Sequence, residues 1–203
     1  MSAALLLGLV VGCADGSDKP ESGPSKGAKA AEAWRDDLKP AASAAKVGGS
    51  GTPCALPVSF DLAQSWLAKP VAGDPAGGLG KQGDLTLRCE VDAKPAGHLG
   101  FLRVWAGGKA GDDPAKALDS FLAADRNLID RQQRATKAGA LSAAEVTYVR
   151  DNPAVGSRKR ERALAVSTPK GVVVLALGGL DTGEHEQMLP AYQLAKQSLT
   201  VTA

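Results

Sequence analysis

The sequence has few aromatic residues, few histidines and no marked excess of charge of either sign. Aromatics make up 4% of the 203 residues, there are two histidines, and 24 Lys and Arg residues stand against 22 Asp and Glu. A nucleic-acid-binding surface needs a clear excess of basic side chains, so we expect no nucleic-acid partner. Because no apolar run reaches the length of a membrane-spanning helix, we do not expect a multispan membrane protein.

A short apolar run at residues 3–12 ends at Cys13. Its length is typical of the apolar region of a secretory signal peptide and is too short to span a bilayer, which needs about 20 helical residues. The segment Val10-Val11-Gly12-Cys13 resembles the lipobox of bacterial lipoproteins, in which the signal is removed and the cysteine becomes the lipid-modified first residue. The resemblance implies a signal peptide at 1–12 and a membrane anchor at Cys13. The alternative is an apolar leader with an incidental cysteine.

The other two cysteines, Cys54 and Cys89, are an obvious pair in an oxidising compartment outside the cytoplasm. A disulfide that closes this loop would stabilise the fold by about 3–4 kcal/mol in the chain-entropy model. Two buried free thiols are the alternative. No CxxC motif or Cys/His cluster is present, so we expect no metal ion and no cofactor.

The chain changes composition near Cys54. Residues 13–53 begin with Cys13, continue with many Gly, Ser, Pro and charged residues, and are predicted to be a flexible tether. Residues 54–203 show strand and helix patterns and are predicted to form a single globular domain.

Within the domain, residues 85–92 alternate strictly between apolar and polar types, which predicts a half-buried strand. A turn and a second strand at 99–105 complete a hairpin. Helical spacing predicts a long helix from Asp112 to Ile129. Three further strands (146–150, 162–166 and 171–177) and a final helix (183–199) follow. This order predicts an α+β domain with an antiparallel sheet and packed helices.

The leader and three segments of the domain resemble actinobacterial cell-envelope lipoproteins with a PsbP-like α-β-α sandwich. The segments are Cys54–Phe60, Gly97–Val104, and Gly171–Leu177 with the helix that follows. The resemblance implies a non-enzymatic domain that docks on partners in the envelope, and it supplies no catalytic residues.

Motifs for catalysis are weak. Gly80-Lys81 lacks the remaining residues of a phosphate-binding loop, and no Gly-x-Ser-x-Gly nucleophile elbow is present in the predicted domain. Both His98 and His185 are expected to be solvated polar residues. We therefore predict that the protein is not an enzyme, with a hydrolase as the remaining catalytic alternative.

Two features are candidates for binding. The residues Arg158, Lys159, Arg160 and Arg162 concentrate positive charge on a predicted strand, where Arg158, Arg160 and Arg162 would project from one face. They are candidates for binding an anionic partner, and a solvated edge strand is the alternative. The second feature is the set of aromatics Trp66, Phe101, Trp105 and Tyr148, predicted to lie in the core or, alternatively, to line a pocket between the layers.

These observations predict a membrane-anchored protein on the extracytoplasmic face of the cell membrane. Its predicted function is that of a non-catalytic binding module whose partner is an envelope protein or an anionic wall polymer. A carrier of a small apolar ligand or lipid is the alternative reading.

Overall fold

The computed structural model describes residues 33–72 and 80–202. Arg35–Ala203 forms one compact unit, and the described residues Ala33 and Trp34 belong to another. The predicted signal peptide, Cys13 and the first part of the predicted tether lie outside the described residues. No helix within the described residues is long and apolar enough to cross a membrane.

The unit Arg35–Ala203 is mostly antiparallel sheet with two helices, which confirms the predicted α+β class. Its elements, in chain order, are β1 (Ser43–Val47), β2 (Val58–Ala63), β3 (Leu67–Pro70), β4 (Lys81–Gln82), β5 (Leu85–Asp92), β6 (Gly100–Gly107), α1 (Pro114–Leu122), β7 (Leu128–Ala138), β8 (Leu141–Asn152), β9 (Ser157–Thr168), β10 (Gly171–Gly179), α2 (Thr182–Ser198) and β11 (Thr200–Val201).

Two sheets carry these strands. The large sheet has the order β3-β5-β6-β10-β9-β8-β7, with β4 paired to β5, and the small sheet has the order β1-β2-β11. The predicted hairpin is β5 and β6, which pair from Leu85↔Gly107 to Asp92↔Phe101. The alternation of side chains along the strands gives the large sheet two buried faces.

Each face of the large sheet has its own apolar cluster. On one face, Leu118, Phe121 and Leu122 of α1 pack with Trp105 and Tyr148. On the other face, α2 and the small sheet cover a larger cluster that contains Phe60, Leu175 and Tyr192. Cys54 and Cys89 belong to this second cluster and form the predicted disulfide.

The prediction of a tether as far as residue 53 is wrong for its last part. Strand β1 pairs with β2 from Ser43↔Ala63 to Val47↔Phe60, and Val47 is fully buried. The remaining residues of this short strand are exposed, so its sequence carries almost no apolar signal. Pairing with β2 supplies the hydrogen bonds that local sequence does not reveal.

The predicted helix over 112–129 is too long. Helix α1 begins at Pro114, capped by the Asp113 side chain, and ends at Leu122. Leu128 starts strand β7, an edge strand whose side chains are mostly exposed and polar. Leu128 and Ile129 match the helical spacing by coincidence, and pairing with β8 decides their conformation.

Candidate functional site

Helix α1 is too short to cover its face of the large sheet. Its nine residues extend about 14 Å, at a rise of about 1.5 Å per residue. The twelve residues of β8 extend about 40 Å. The uncovered part of this face is the floor of a groove with a volume of about 700 Å³.

The groove has an aromatic wall. Trp105 and Phe121 pack edge to face with their ring centroids 5.5 Å apart, and both rings line the groove. Phe101 lies two residues before Arg103 on β6, and the Arg103 guanidinium lies 4.9 Å from the centroid of its ring. Apolar contact and a cation held over an aromatic ring are therefore present on the same strand.

The charged side chains of the groove surround Glu161. Lys159 Nζ and Arg150 Nη2 each lie 3.1 Å from a carboxylate oxygen of Glu161. The Tyr148 hydroxyl donates to the same carboxylate at 3.2 Å. Burial opposes ionisation of Glu161, but Arg150 and Lys159 outweigh it and hold its pKa below the usual value. Glu161 is therefore ionised at neutral pH, where it pairs with the neighbouring cations and does not act as a proton donor.

Two residues that line the groove each carry a buried polar atom with no hydrogen-bond partner among the described residues. These atoms are the indole Nε1 of Trp105 and Oε1 of Gln82. A buried N–H group without an acceptor is unfavourable by about 1–3 kcal/mol. Since Trp105 is 5% exposed, solvent has little access to its ring. The indole N–H is thus an unsatisfied buried donor on a residue that lines the groove.

The opposite face of the same strands carries a buried ionic network around Glu145. Glu145 accepts hydrogen bonds from Lys196 Nζ at 2.8 Å, Arg134 Nη2 at 2.7 Å and the Tyr192 hydroxyl at 2.9 Å. Arg162 Nη1 lies 3.6 Å from Glu145. Burial raises the pKa of Glu145, but Lys196, Arg162 and Arg134 outweigh burial and lower it. Helix α2, which contributes Lys196 and Tyr192, covers this network.

The predicted basic stripe does not form. Arg162 is fully buried in the Glu145 network, whereas Arg158 is exposed and pairs with Asp151 at 3.2 Å. Lys159 projects from the other face of β9 into the groove. The prediction is wrong for Arg162 because two long strands and α2 enclose its position, which is a property of the sheet and not of the local charge pattern.

The prediction that His185 is solvated is also wrong. His185 is fully buried in the first part of α2, and burial followed by the positive charge of Arg162 lowers its pKa to about 3. Its sequence neighbour Glu184 accepts a hydrogen bond from the Leu99 backbone N–H instead. His98 lies 3.6 Å from the same Glu184 carboxylate. Within the described residues, no group of three or more His, Cys, Asp or Glu side chains is arranged to hold a metal ion.

The sequence predicted that the aromatic residues lie in the core or line a pocket, and both predictions apply to part of the set. Trp105 and Tyr148 are core residues and also line the groove, while Trp66 lies in the cluster on the other face. Sequence reasoning missed Arg103 and Arg150 as groove residues. A signal for Arg103 was available, because Phe101, Arg103 and Trp105 alternate along one predicted strand and so share a face.

Comparisons with known proteins place the chain in a family. The model of the Lipoprotein_23 family, described as uncharacterised lipoprotein, matches residues 24–199. No curated protein matches the chain. A crystal structure of LpqN, a Mycobacterium tuberculosis protein involved in cell envelope biogenesis, is similar at 18% sequence identity. The match covers 78% of this chain and 90% of that chain, with a TM-score of 0.42.

The family match spans most of the chain and includes the whole of both sheets up to Leu199. The lipoprotein prediction made from the lipobox-like segment is therefore confirmed at the level of the family. The chain belongs to the Lipoprotein_23 family of uncharacterised lipoproteins.

Proposed function

We propose that this protein is a lipid-anchored, non-catalytic binding module on the extracytoplasmic face of the cell membrane, and that the groove is its ligand site. Removal of residues 1–12 and lipid modification of Cys13 would supply the anchor. Membership of a lipoprotein family supports this part of the proposal.

The proposal includes a PsbP-like α-β-α sandwich in an actinobacterial envelope. The layer order supports the sandwich, since α1 packs on one face of the large sheet and α2 on the other. Binding of an envelope protein or an anionic wall polymer remains a prediction of the sequence. The groove favours a small ligand instead, which is the alternative reading of the sequence.

The ligand proposed for the groove is a small amphipathic molecule. A volume of about 700 Å³ lies within the range of small-molecule sites. The rings of Trp105 and Phe121 offer apolar contact, and the indole N–H of Trp105, which has no partner among the described residues, favours a ligand with a hydrogen-bond acceptor. This orphaned donor is the single observation that carries the proposal.

A non-catalytic role agrees with the chemistry of the groove. The described residues that line it include no Ser, Thr, Cys or His to act as a nucleophile or base. Burial raises the pKa of Tyr148 well above its usual value, with Glu161 adding to the effect, so its hydroxyl remains protonated. A screen for esterase, glycosidase and peptidase activity should find none, and turnover that Tyr148→Phe abolishes would contradict this role.

The ligand proposal is tested with Trp105→Phe, which keeps an aromatic ring and removes the N–H group. Native mass spectrometry of gently purified protein should show a co-purified molecule in the unaltered chain. We expect the variant to retain roughly fivefold less of it, because one neutral hydrogen bond contributes about 1 kcal/mol.

Trp66→Phe is the matched control, because Trp66 is 6% exposed and belongs to the cluster on the other face of the sheet. Equal near-ultraviolet circular dichroism of the variants checks that both fold. A ligand-free spectrum of the unaltered protein, or equal retention by the two variants, contradicts the ligand proposal.

A further inference from the structure

The exposed apolar side chains are concentrated at one end of the large sheet. Across the described residues, six large apolar side chains are exposed. Five of these lie at the same end: Leu67, Leu99, Ile129, Val155 and Leu180. We call these five residues the apolar end.

The strand register establishes that these residues share an end. Leu99 immediately precedes β6 and Leu180 immediately follows β10, next to the pair Gly100↔Gly179. The Leu180 N–H donates to the Leu99 carbonyl at 2.8 Å, so the two side chains are neighbours. They are 49% and 64% exposed.

The other three residues of the apolar end lie at the two edges of the large sheet and in a turn that projects beyond it. Leu67 of β3 pairs with Asp92 of β5 at one edge, and Ile129 of β7 pairs with Val149 of β8 at the other. Val155 lies in the turn between β8 and β9 and is 71% exposed. Exposed apolar side chains thus occur at the middle of this end, at both of its edges and in the turn beyond it.

Basic side chains accompany the apolar end. Four lie beside it: Lys94, Arg158, Lys159 and Arg160. Among the described residues, the side chains of Lys94 and Arg160 have no acidic partner within 4.0 Å. Arg158 pairs with Asp151 and Lys159 with Glu161.

Two acidic groups on the same side are engaged within the protein, whereas Asp130, next to Ile129, and Glu186 of α2 are exposed. Asp181 caps the first turn of α2 by accepting from the Glu184 N–H at 2.8 Å. Glu184 accepts from the Leu99 N–H at 3.1 Å. Lys94 and Arg160, which have no acidic partner within 4.0 Å among the described residues, are therefore available to an anionic surface.

The opposite end of the sheet has a different character. Its exposed side chains include Lys109, Asp113, Lys137 and Lys170, and of the six exposed large apolar residues only Val201 of the small sheet lies on this side. The contrast between the two ends is thus a property of the fold and not of a generally apolar surface.

We propose that the apolar end docks on the surface of an anionic phospholipid bilayer. Contiguous exposed apolar side chains mark interaction sites, and apolar groups beside Lys and Arg are the combination that binds an anionic membrane interface. Each basic residue near such a surface contributes attraction that falls off within a Debye length. Membership of a lipoprotein family supports a membrane as the partner.

Docking in this way gives the groove a position relative to the bilayer. Leu99 and Leu180 belong to the apolar end and also line the groove. The neighbouring Lys94 and Lys159 line the groove too. The mouth of the groove would face the lipid headgroups. This inference does not require a ligand in the groove, because the docking surface and the indole donor of Trp105 are separate features.

The test uses the full chain, extracted from membranes and reconstituted into vesicles that contain phosphatidylglycerol. Single cysteines are introduced as Leu180→Cys, Val155→Cys and Ala140→Cys, each labelled with an environment-sensitive fluorophore. Ala140 is exposed in the turn at the other end of β8, about 40 Å from the Val155 turn for a strand of twelve residues. It is the matched control.

Lipids brominated on their acyl chains quench only fluorophores at the bilayer. We expect several-fold stronger quenching at positions 155 and 180 than at position 140. Quenching that is equal at the three positions, or absent from all of them, overturns the proposal, because a tether alone would not orient the domain.

A second measurement separates the apolar and charged contributions. The double variant Leu99→Ser/Leu180→Ser should lose most of the quenching at position 155, whereas Val201→Ser should keep it. Val201 is 37% exposed but belongs to the small sheet. Wholly zwitterionic vesicles should also reduce the quenching several-fold, and an unchanged signal there overturns the role of the anionic headgroups.

Discussion

His185 enters the first turns of α2 with its imidazole inside the protein. Burial, with the charge of Arg162 adding to it, keeps the ring neutral by lowering its pKa from 6.5 to about 3. In the unfolded chain the ring takes up a proton near pH 6.5. Between the two values the unfolded state binds more protons, so the stability that the neutral ring contributes is lost as the pH falls.

This residue therefore predicts acid sensitivity. From pH 7 to pH 5, urea unfolding should show a free energy of unfolding that falls by up to about 1.4 kcal/mol per pH unit. His185→Leu should remove most of that slope, because no group then titrates at this position. His98→Gln is the control and should leave the slope in place, since His185 is still present. An unchanged slope in His185→Leu would show that other groups dominate.

At the scale of secondary structure, the Glu145 network joins four segments. Glu145 on β8 contacts Arg134 on β7, Arg162 on β9 and Lys196 on α2. Arg134 Nη2 also donates to Asp36 at 2.6 Å, which fastens the segment before β1 to the sheet. Edge strand β7 has few buried side chains of its own, so this network is a large part of its attachment.

Removing the central carboxylate should be strongly destabilising. Glu145→Gln leaves buried cations without a counter-charge, and we expect a loss of about 3–5 kcal/mol in the free energy of unfolding. Glu90→Gln is the control: its pair with Arg103 is partly exposed and should contribute about 0–1 kcal/mol. Denaturant unfolding measures both. A loss in Glu145→Gln no larger than in Glu90→Gln would contradict the role of the network.

At the scale of the whole molecule, the proposed lipid anchor at Cys13 is the property to test. Two acyl chains give stable anchoring where a single chain gives only marginal binding. Cys13→Ser should move the protein from the detergent phase to the aqueous phase in a detergent partition. Cys54→Ala/Cys89→Ala should stay in the detergent phase, because it loses the disulfide and keeps the anchor. Retention of Cys13→Ser in the detergent phase would count against lipid modification at this residue.

Much of the fold was predictable where local pattern and tertiary environment agree. The hairpin of β5 and β6 follows from the strict alternation of residues 85–92, because a half-buried strand needs that period. Strands β1 and β7 were missed since both lie at sheet edges and bury few side chains. Their conformation comes from backbone pairing, which leaves little trace in residue type.

Some residues of the candidate site were predictable from the sequence, but their arrangement in space was not. Trp66, Trp105 and Tyr148 were correctly linked to the core, whereas Phe101 is half-buried and belongs to neither cluster. The pocket alternative applies to Phe101, Trp105 and Tyr148. The shortness of α1, which leaves the groove open, followed neither from its cap nor from its apolar spacing. The position where a helix ends next to a sheet depends on which strand the following residues join.

The sequence by itself determined the α+β class, the central hairpin, the partner of Cys54 and the lipobox-like segment at Cys13. Each of these depends on residue type or on short-range spacing. Only the tertiary structure decided that Arg162 is buried, that Lys159 reaches the groove and that five exposed apolar side chains meet at one end. Those properties depend on which strands become neighbours and on what covers each face, and a linear charge pattern contains neither.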